Sequence, residues 1–305
     1  MGKETSFLLH ATDIMNQNVP VVERDMPLSH LINMLLKTRE KNAIIIDRNE
    51  KVTGLITPKI FFKNIINLGH FWKERGTMLP SKYVELIAEK VPTIPPQTPL
   101  LDVIKTLSSK TPFIDGILVE EKDEILGIIT AEDILRAVLD NPLLSTPVKN
   151  ILPKDAEKRI IQKYSTIAHV IQTTQELDTD CLVVFEAKNE PWGLITASGM
   201  LFEIESISQL SIKKEESIAP VRSIEGREEP RTKIQVRETI TPLAEHMAIH
   251  IPEIFTQNKS TKKAIKTMLS EDLDGLPIMN ENKKKLLGTL IKKDVIKYLA
   301  KQTEK

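Results

Sequence analysis

One phrase occurs four times along the chain: GLITPKIF from Gly54, GIITAEDIL from Gly127, GLITASGM from Gly193 and GTLIKKDV from Gly288. In each, a short apolar strand runs straight into a helix. The glycines are spaced by 73, 66 and 95 residues. A recurrence on that scale means that one supersecondary unit is used four times, so no segment should be read alone.

The first copy, about residues 11–67, sets the order. A short helix at Asp13-Ile14-Met15 precedes a strand at Val19-Pro20-Val21-Val22. Pro27 leads a helix whose Leu28, Leu31, Ile32 and Leu35 fall on one face. Ala43–Ile46 and Val52–Ile56 form a hairpin across a polar turn, and Pro58 starts a closing helix. The order returns in copy two (about 84–140), with a middle helix at Pro99–Leu107 and a hairpin of Ile117–Glu120 with Ile125–Ile129. Copies three and four span about 146–204 and 242–300. The fourth is expected to close with a helix over Val295–Leu299.

Two stretches stand outside the repeat. A connector after copy one carries Phe71 and Trp72 close to Phe61 and Phe62, an aromatic concentration expected to pack between units. A linker at about 211–241 is rich in charge: 13 of the 26 residues from Lys213 to Glu238 are charged, so it cannot bury a core of its own. Within it TKIQVRE alternates like a strand that could cap a sheet edge.

Composition excludes several function classes. Lysine plus arginine and aspartate plus glutamate are both 42, which argues against a dedicated nucleic-acid or anionic-membrane binder. No apolar run approaches the ~18–20 residues of a membrane span, and the N-terminal MGKETS has no signal-peptide core, so a cytoplasmic location is expected. The single cysteine, Cys181, lies in the apolar run CLVVF and reads as a packing residue. The chain has no Walker loop, GxGxxG, CxxC or GxSxG. His246 and His250 have no third partner for a metal site. Neither catalysis nor a metal is expected.

With GIITAEDIL nearest the pattern Gly-apolar-apolar-Thr-x-x-Asp, and DGLPIM as a first hairpin strand in copy four, the sequence resembles the CBS-domain family. The likeness covers nearly the whole chain. It implies an α/β (α+β) fold of four repeats, each a small sheet flanked by helices. The repeats would be paired into two pseudo-two-fold Bateman modules, over residues 1–145 and 146–305. Proteins made only of four such copies are similar to the gamma subunit of AMP-activated kinase and to stand-alone prokaryotic CBS proteins. The clefts of such modules hold adenosine compounds, so AMP, ADP, ATP or S-adenosylmethionine is the implied ligand. A homodimer and a regulated protein partner are implied as well.

The resemblance also selects residues. Asp133 at a helix start can accept hydrogen bonds from both ribose hydroxyls, with Thr130 beside it, and an adenine can slide along the edge at Ile117-Leu118. Thr130 and Asp133 equally satisfy a capping box, a purely structural role. The other copies are altered. Copy one keeps Thr57 but has Ile60 at the acid position, and copy three keeps Thr196 but has Gly199. Copy four has Ile291 for the threonine but keeps Asp294, with Gly275-Leu276-Pro277 as its strand edge. One competent cleft per pair, at Asp133 and Asp294, is the expectation. Lys59, Arg136, Lys292 and Lys293 stand where they can meet phosphates. A sensor of an adenosine ligand is therefore the leading reading. A ligand-free scaffold acting through dimerisation or a partner is the alternative.

Overall fold

Each copy of the repeat builds the same three-stranded sheet. A computed structural model describes residues 8–61, 84–109, 115–187, 190–201, 214–215, 237–238 and 243–303. In copy two, Thr93–Ile94 lies parallel to Ile117–Glu121 after the helix Leu100–Ser108, and Ile117–Glu121 pairs antiparallel with Glu124–Ile129. The same parallel-then-antiparallel order holds in the other three copies. Copy three has the complete sheet although its closing phrase lacks the acid.

The helices form where apolar spacing sets them. Leu28–Thr38 buries Leu28, Leu31, Ile32 and Leu35 and ends where Arg39 turns left-handed at φ 58°. Leu100–Ser108 buries Leu100, Val103, Ile104 and Leu107 in the same spacing. Several boundaries differ from expectation. The first helix is Ala11–Ile14, the first strand is Val21–Glu23, the middle helix of copy two is Leu100–Ser108, and the last helix runs over Lys292–Thr303, while copy two opens on a single 3₁₀ turn over Val84–Leu86. That last helix starts early because Lys292, Lys293 and Asp294 are buried in its first turn, where polarity conceals the apolar pattern. Phe62, Phe71 and Trp72 of the aromatic connector fall outside the described residues. Of the charged linker, Arg237–Glu238 pairs with Lys214–Glu215 in a two-residue antiparallel ladder, and the rest lies outside.

The recurrent glycines have one physical cause. A Cβ on Gly127 would stand 2.5 Å from the backbone oxygen of Asn16, and Asn16 exchanges backbone hydrogen bonds with Ile128. Gly54 receives Glu89 in the same way, at 3.0 Å, and Glu89 bonds back to Leu55. Copies one and two thus each lay an entering segment across the other's hairpin. Copies three and four do likewise, with Ile249 over Gly193 and Ala156 over Gly288, whose φ is +151°. In all four hairpins the register slips immediately beyond the glycine pair, at Ile45/Ile46, Val119/Glu120, Val184/Phe185 and Ile278/Met279. Such a bulge adds local twist.

Sheets therefore pack within each half of the chain, and helices pack between halves. One apolar core joins Val103, Ile104 and Leu135 of copy two to Ile265, Val295 and Leu299 of copy four. A second joins Leu31 and Leu35 of copy one to Val170 and Met200 of copy three. A small third cluster, with Ile44, Leu55, Leu118 and Ile128, seals the sheets of copies one and two. Cys181 is fully buried, and burial pushes its thiol well above the usual range, as suits a packing residue. No helix among the described residues is long and apolar enough to cross a membrane.

Gly127→Ala should lower stability by about 1–3 kcal/mol, because its methyl meets backbone rather than a movable side chain. Urea unfolding of the full chain checks this, and an unchanged midpoint would contradict the crossing geometry.

Candidate functional site

The four strand–helix junctions end at one place. Thr57-Pro58-Lys59, Thr130-Ala131-Glu132, Ala197-Ser198 and Lys292-Lys293 line a single central cavity, open to roughly 100 Å³ of water-sized molecules. Each copy adds a second wall from the residues just before its first hairpin strand: Lys41-Asn42, Asp115, Asp180 and Asp274. The fold explains the convergence, since strand ends and helix starts of both pairs face inward where helices of opposite halves meet.

The cavity carries a charge network that links every copy. Lys59 lies 3.4 Å from Asp115, 2.5 Å from Asp178 and 3.5 Å from Asp180. Lys293 approaches Asp178 from the other side at 3.0 Å. Lys292 reaches Glu132 at 3.0 Å and Asp274 at 3.5 Å, while Lys41 pairs with Asp272. Asp274 also accepts a hydrogen bond from the backbone N–H of Ser198, at 3.0 Å. The side-chain nitrogens of Lys59 and Lys293 are both buried and both draw on Asp178, which for Lys293 is the one ion-pair partner among the described residues.

Burial sorts the protonation behaviour. Asp115 is driven up to about 7 by burial, which Lys59 opposes and Asp180 reinforces. Burial works to raise Glu132 too, but Lys292 and Lys41 outweigh it and hold the carboxyl down at about 2. Asp178 is likewise held at about 2, with Lys59 foremost against its burial. Lys293 is made less basic by burial, with Lys59 adding to the effect, whereas the acids around Lys59 overcome its burial and raise it.

The sequence-selected residues divide by position. Thr57 and Thr130 line the cavity. Thr57 and Thr196 are buried and act as helix caps, accepting from the N–H of Ile60 at 3.2 Å and of Gly199 at 2.9 Å. Asp133 accepts from the N–H and the hydroxyl of Thr130, both at 2.7 Å and both on Oδ2. That is the carboxylate half of a capping box, and it coexists with a second carboxylate oxygen. Burial pushes Asp133 above its usual range, against the bonds from Thr130. Ile117 and Leu118 are buried in their strand, as are Gly275, Leu276 and Pro277, and a Cβ on Gly275 would meet the Cβ of Cys181 in the neighbouring sheet. Asp294 is buried and bound by Arg159. Of the four phosphate candidates, Lys59, Lys292 and Lys293 reach the cavity, while Arg136 is exposed and pairs with Glu132 along its own helix. No metal-competent cluster exists among the described residues, and His246 Nδ1 accepts from the N–H of Leu243.

Sequence reasoning missed Asp115, Asp178, Asp180 and Arg159. A signal was present. Aligning the copies on their hairpin register puts Lys41, Asp115, Asp180 and Asp274 in one column, each four residues before the strand partner of the recurrent glycine.

The CBS-domain family model matches residues 11–67, 84–140 and 247–301, leaving copy three to be identified by its structure. A protein of Methanocaldococcus jannaschii, described as an archaeal homologue of g-AMPK, superposes with a TM-score of 0.72 at 17% identity over 95% of this chain and 99% of its own. An uncharacterized conserved protein of Pyrococcus horikoshii superposes with a TM-score of 0.57 at 12% identity over 95% of this chain and 100% of its own. Both likenesses establish the fold. No curated protein sequence matches.

The raised Asp115 carboxyl has a thermodynamic consequence. The folded state holds its proton where the unfolded chain has released it, so this group's contribution to stability falls as pH rises from about 4 to about 7. Asp115→Asn removes that loss. The melting temperature of the variant should gain on the wild type across that window and then run parallel. A constant difference at every pH would contradict the assignment.

Proposed function

Since the chain belongs to the CBS-domain family, we propose that it is a non-enzymatic regulatory protein that binds an adenine nucleotide and passes its occupancy to a partner or a second copy. The observation that carries this reading is the pair of buried ammonium groups of Lys59 and Lys293, which share Asp178 at the junction of all four copies, Lys293 having no other ion-pair partner among the described residues. A phosphate oxygen is the acceptor that such donors fit. Asp133 supplies a carboxylate for the ribose at the one helix start that keeps both threonine and acid. The buried lysine donors favour AMP, ADP or ATP over S-adenosylmethionine, which carries no phosphate.

The chain's own chemistry suits reversible binding. Helix-start N–H groups and lysines attract the phosphate, and a phosphate that enters must compete with Asp178 and Asp115 for Lys59. That competition gives occupancy a means of rearranging contacts between copies. The ligand-free scaffold reading has one observation in its favour: four lysines and four acids line the cavity, which is therefore neutral by itself.

AMP at about 100 times its dissociation constant should stabilise the protein by ~2.7 kcal/mol, roughly 5–10 °C in melting temperature. Asp133→Asn should weaken AMP by about 10- to 100-fold, the cost of losing hydrogen bonds to a charged group, and leave the unliganded protein within about 1 kcal/mol of wild type. A thermal-shift panel of nucleotides and a calorimetric titration check both. No response to any nucleotide at millimolar concentration would favour the scaffold.

A further inference from the structure

We propose that Arg159 is a built-in occupant of the fourth copy's helix-start carboxylate, closing that cleft to a ribose while the second copy's stays able to accept one. This rests on the reading of Asp133 as the ribose acceptor. Arg159 is 5% exposed and comes from copy three, immediately before its first strand. Its guanidinium holds both oxygens of Asp294, Nη1 to Oδ2 at 2.5 Å and Nη2 to Oδ1 at 3.1 Å. Nη1 also donates to the carbonyl of Thr289 at 2.8 Å, and the Thr289 hydroxyl donates back to the Arg159 carbonyl at 3.1 Å. The N–H of Ile291 donates to Asp294 Oδ2 at 3.1 Å. Asp294 is therefore fully engaged, and by a planar pair of donors that presents to it what two ribose hydroxyls would.

Internal symmetry identifies the residue as the exception. The carbonyl of Arg159 accepts from Val183 N–H at 3.0 Å, one residue before the strand partner of the recurrent glycine. In copies one and two the same bond is made by Pro20, from Ile44 at 2.9 Å, and by Pro92, from Leu118 at 3.0 Å. Copies one and two place a short ring where copy three places a long cation. The entering segment of copy one thus leaves Asp133 with bonds from Thr130 alone, both on one oxygen.

The test has a stability arm and a binding arm, both on the full chain. Arg159→Met and Asp294→Asn should each lower the melting temperature, and the double variant should recover most of the loss, since neither single change leaves the other charge paired. Additive losses would overturn the lock. In an AMP titration Asp294→Asn should keep wild-type affinity within twofold and the same number of sites, whereas Asp133→Asn weakens binding at least tenfold. Arg159→Met should gain one site, which the double variant lacks. Loss of a site in Asp294→Asn, with wild-type binding intact, overturns this proposal alone. Absence of AMP binding in the wild type overturns the ribose reading and this proposal with it. Should Arg159→Met fail to fold, the Asp294→Asn titration decides by itself.

Discussion

The architecture depends on a cluster of lysines that no single copy can neutralise. Lys59 of copy one finds its acids in copies two and three, Lys292 finds them in copies two and four, and Lys293 finds Asp178 in copy three. Taking such groups from water costs several kcal/mol each unless their partners are in place. The four junctions must therefore meet in one arrangement or leave charge buried and unpaired. Apolar packing brings the helices of opposite halves together, and the charge network specifies how they are registered.

The glycines complete that constraint. Each lets the neighbouring copy's entering segment lie directly on a hairpin, reciprocally within each half. The bulge beyond each glycine pair twists the strand end. Close backbone approach and charge matching act at different radii, the first at the sheets and the second at the centre. Substitutions at either place are expected to be felt across more than one copy.

Much of this was legible in the chain. The repeat, the hairpins and the middle helices follow from Gly54, Gly127, Gly193 and Gly288 and from i, i+3, i+4 spacings such as that of Leu100, Val103, Ile104 and Leu107. Phosphate candidates Lys59, Lys292 and Lys293 stood out because they flank a helix start. The acids were hidden because Asp115, Asp178 and Asp180 look like ordinary turn residues, and their partners are distant in sequence. Asp294 shows the same limit in reverse. Its acid is kept at the helix start, and only the fold brings Arg159 to it from 135 residues away.

On the function proposed above, the Asp133 carboxylate and the shared lysine cluster serve a single nucleotide at the centre rather than four independent ones. The most direct measurement is a crystal structure of the full chain with AMP. The account expects the phosphate in the central cavity, within hydrogen-bond reach of Lys59 and Lys293, with the ribose on Asp133. AMP bound with its phosphate away from both lysines, or with its ribose on Asp294, would contradict it.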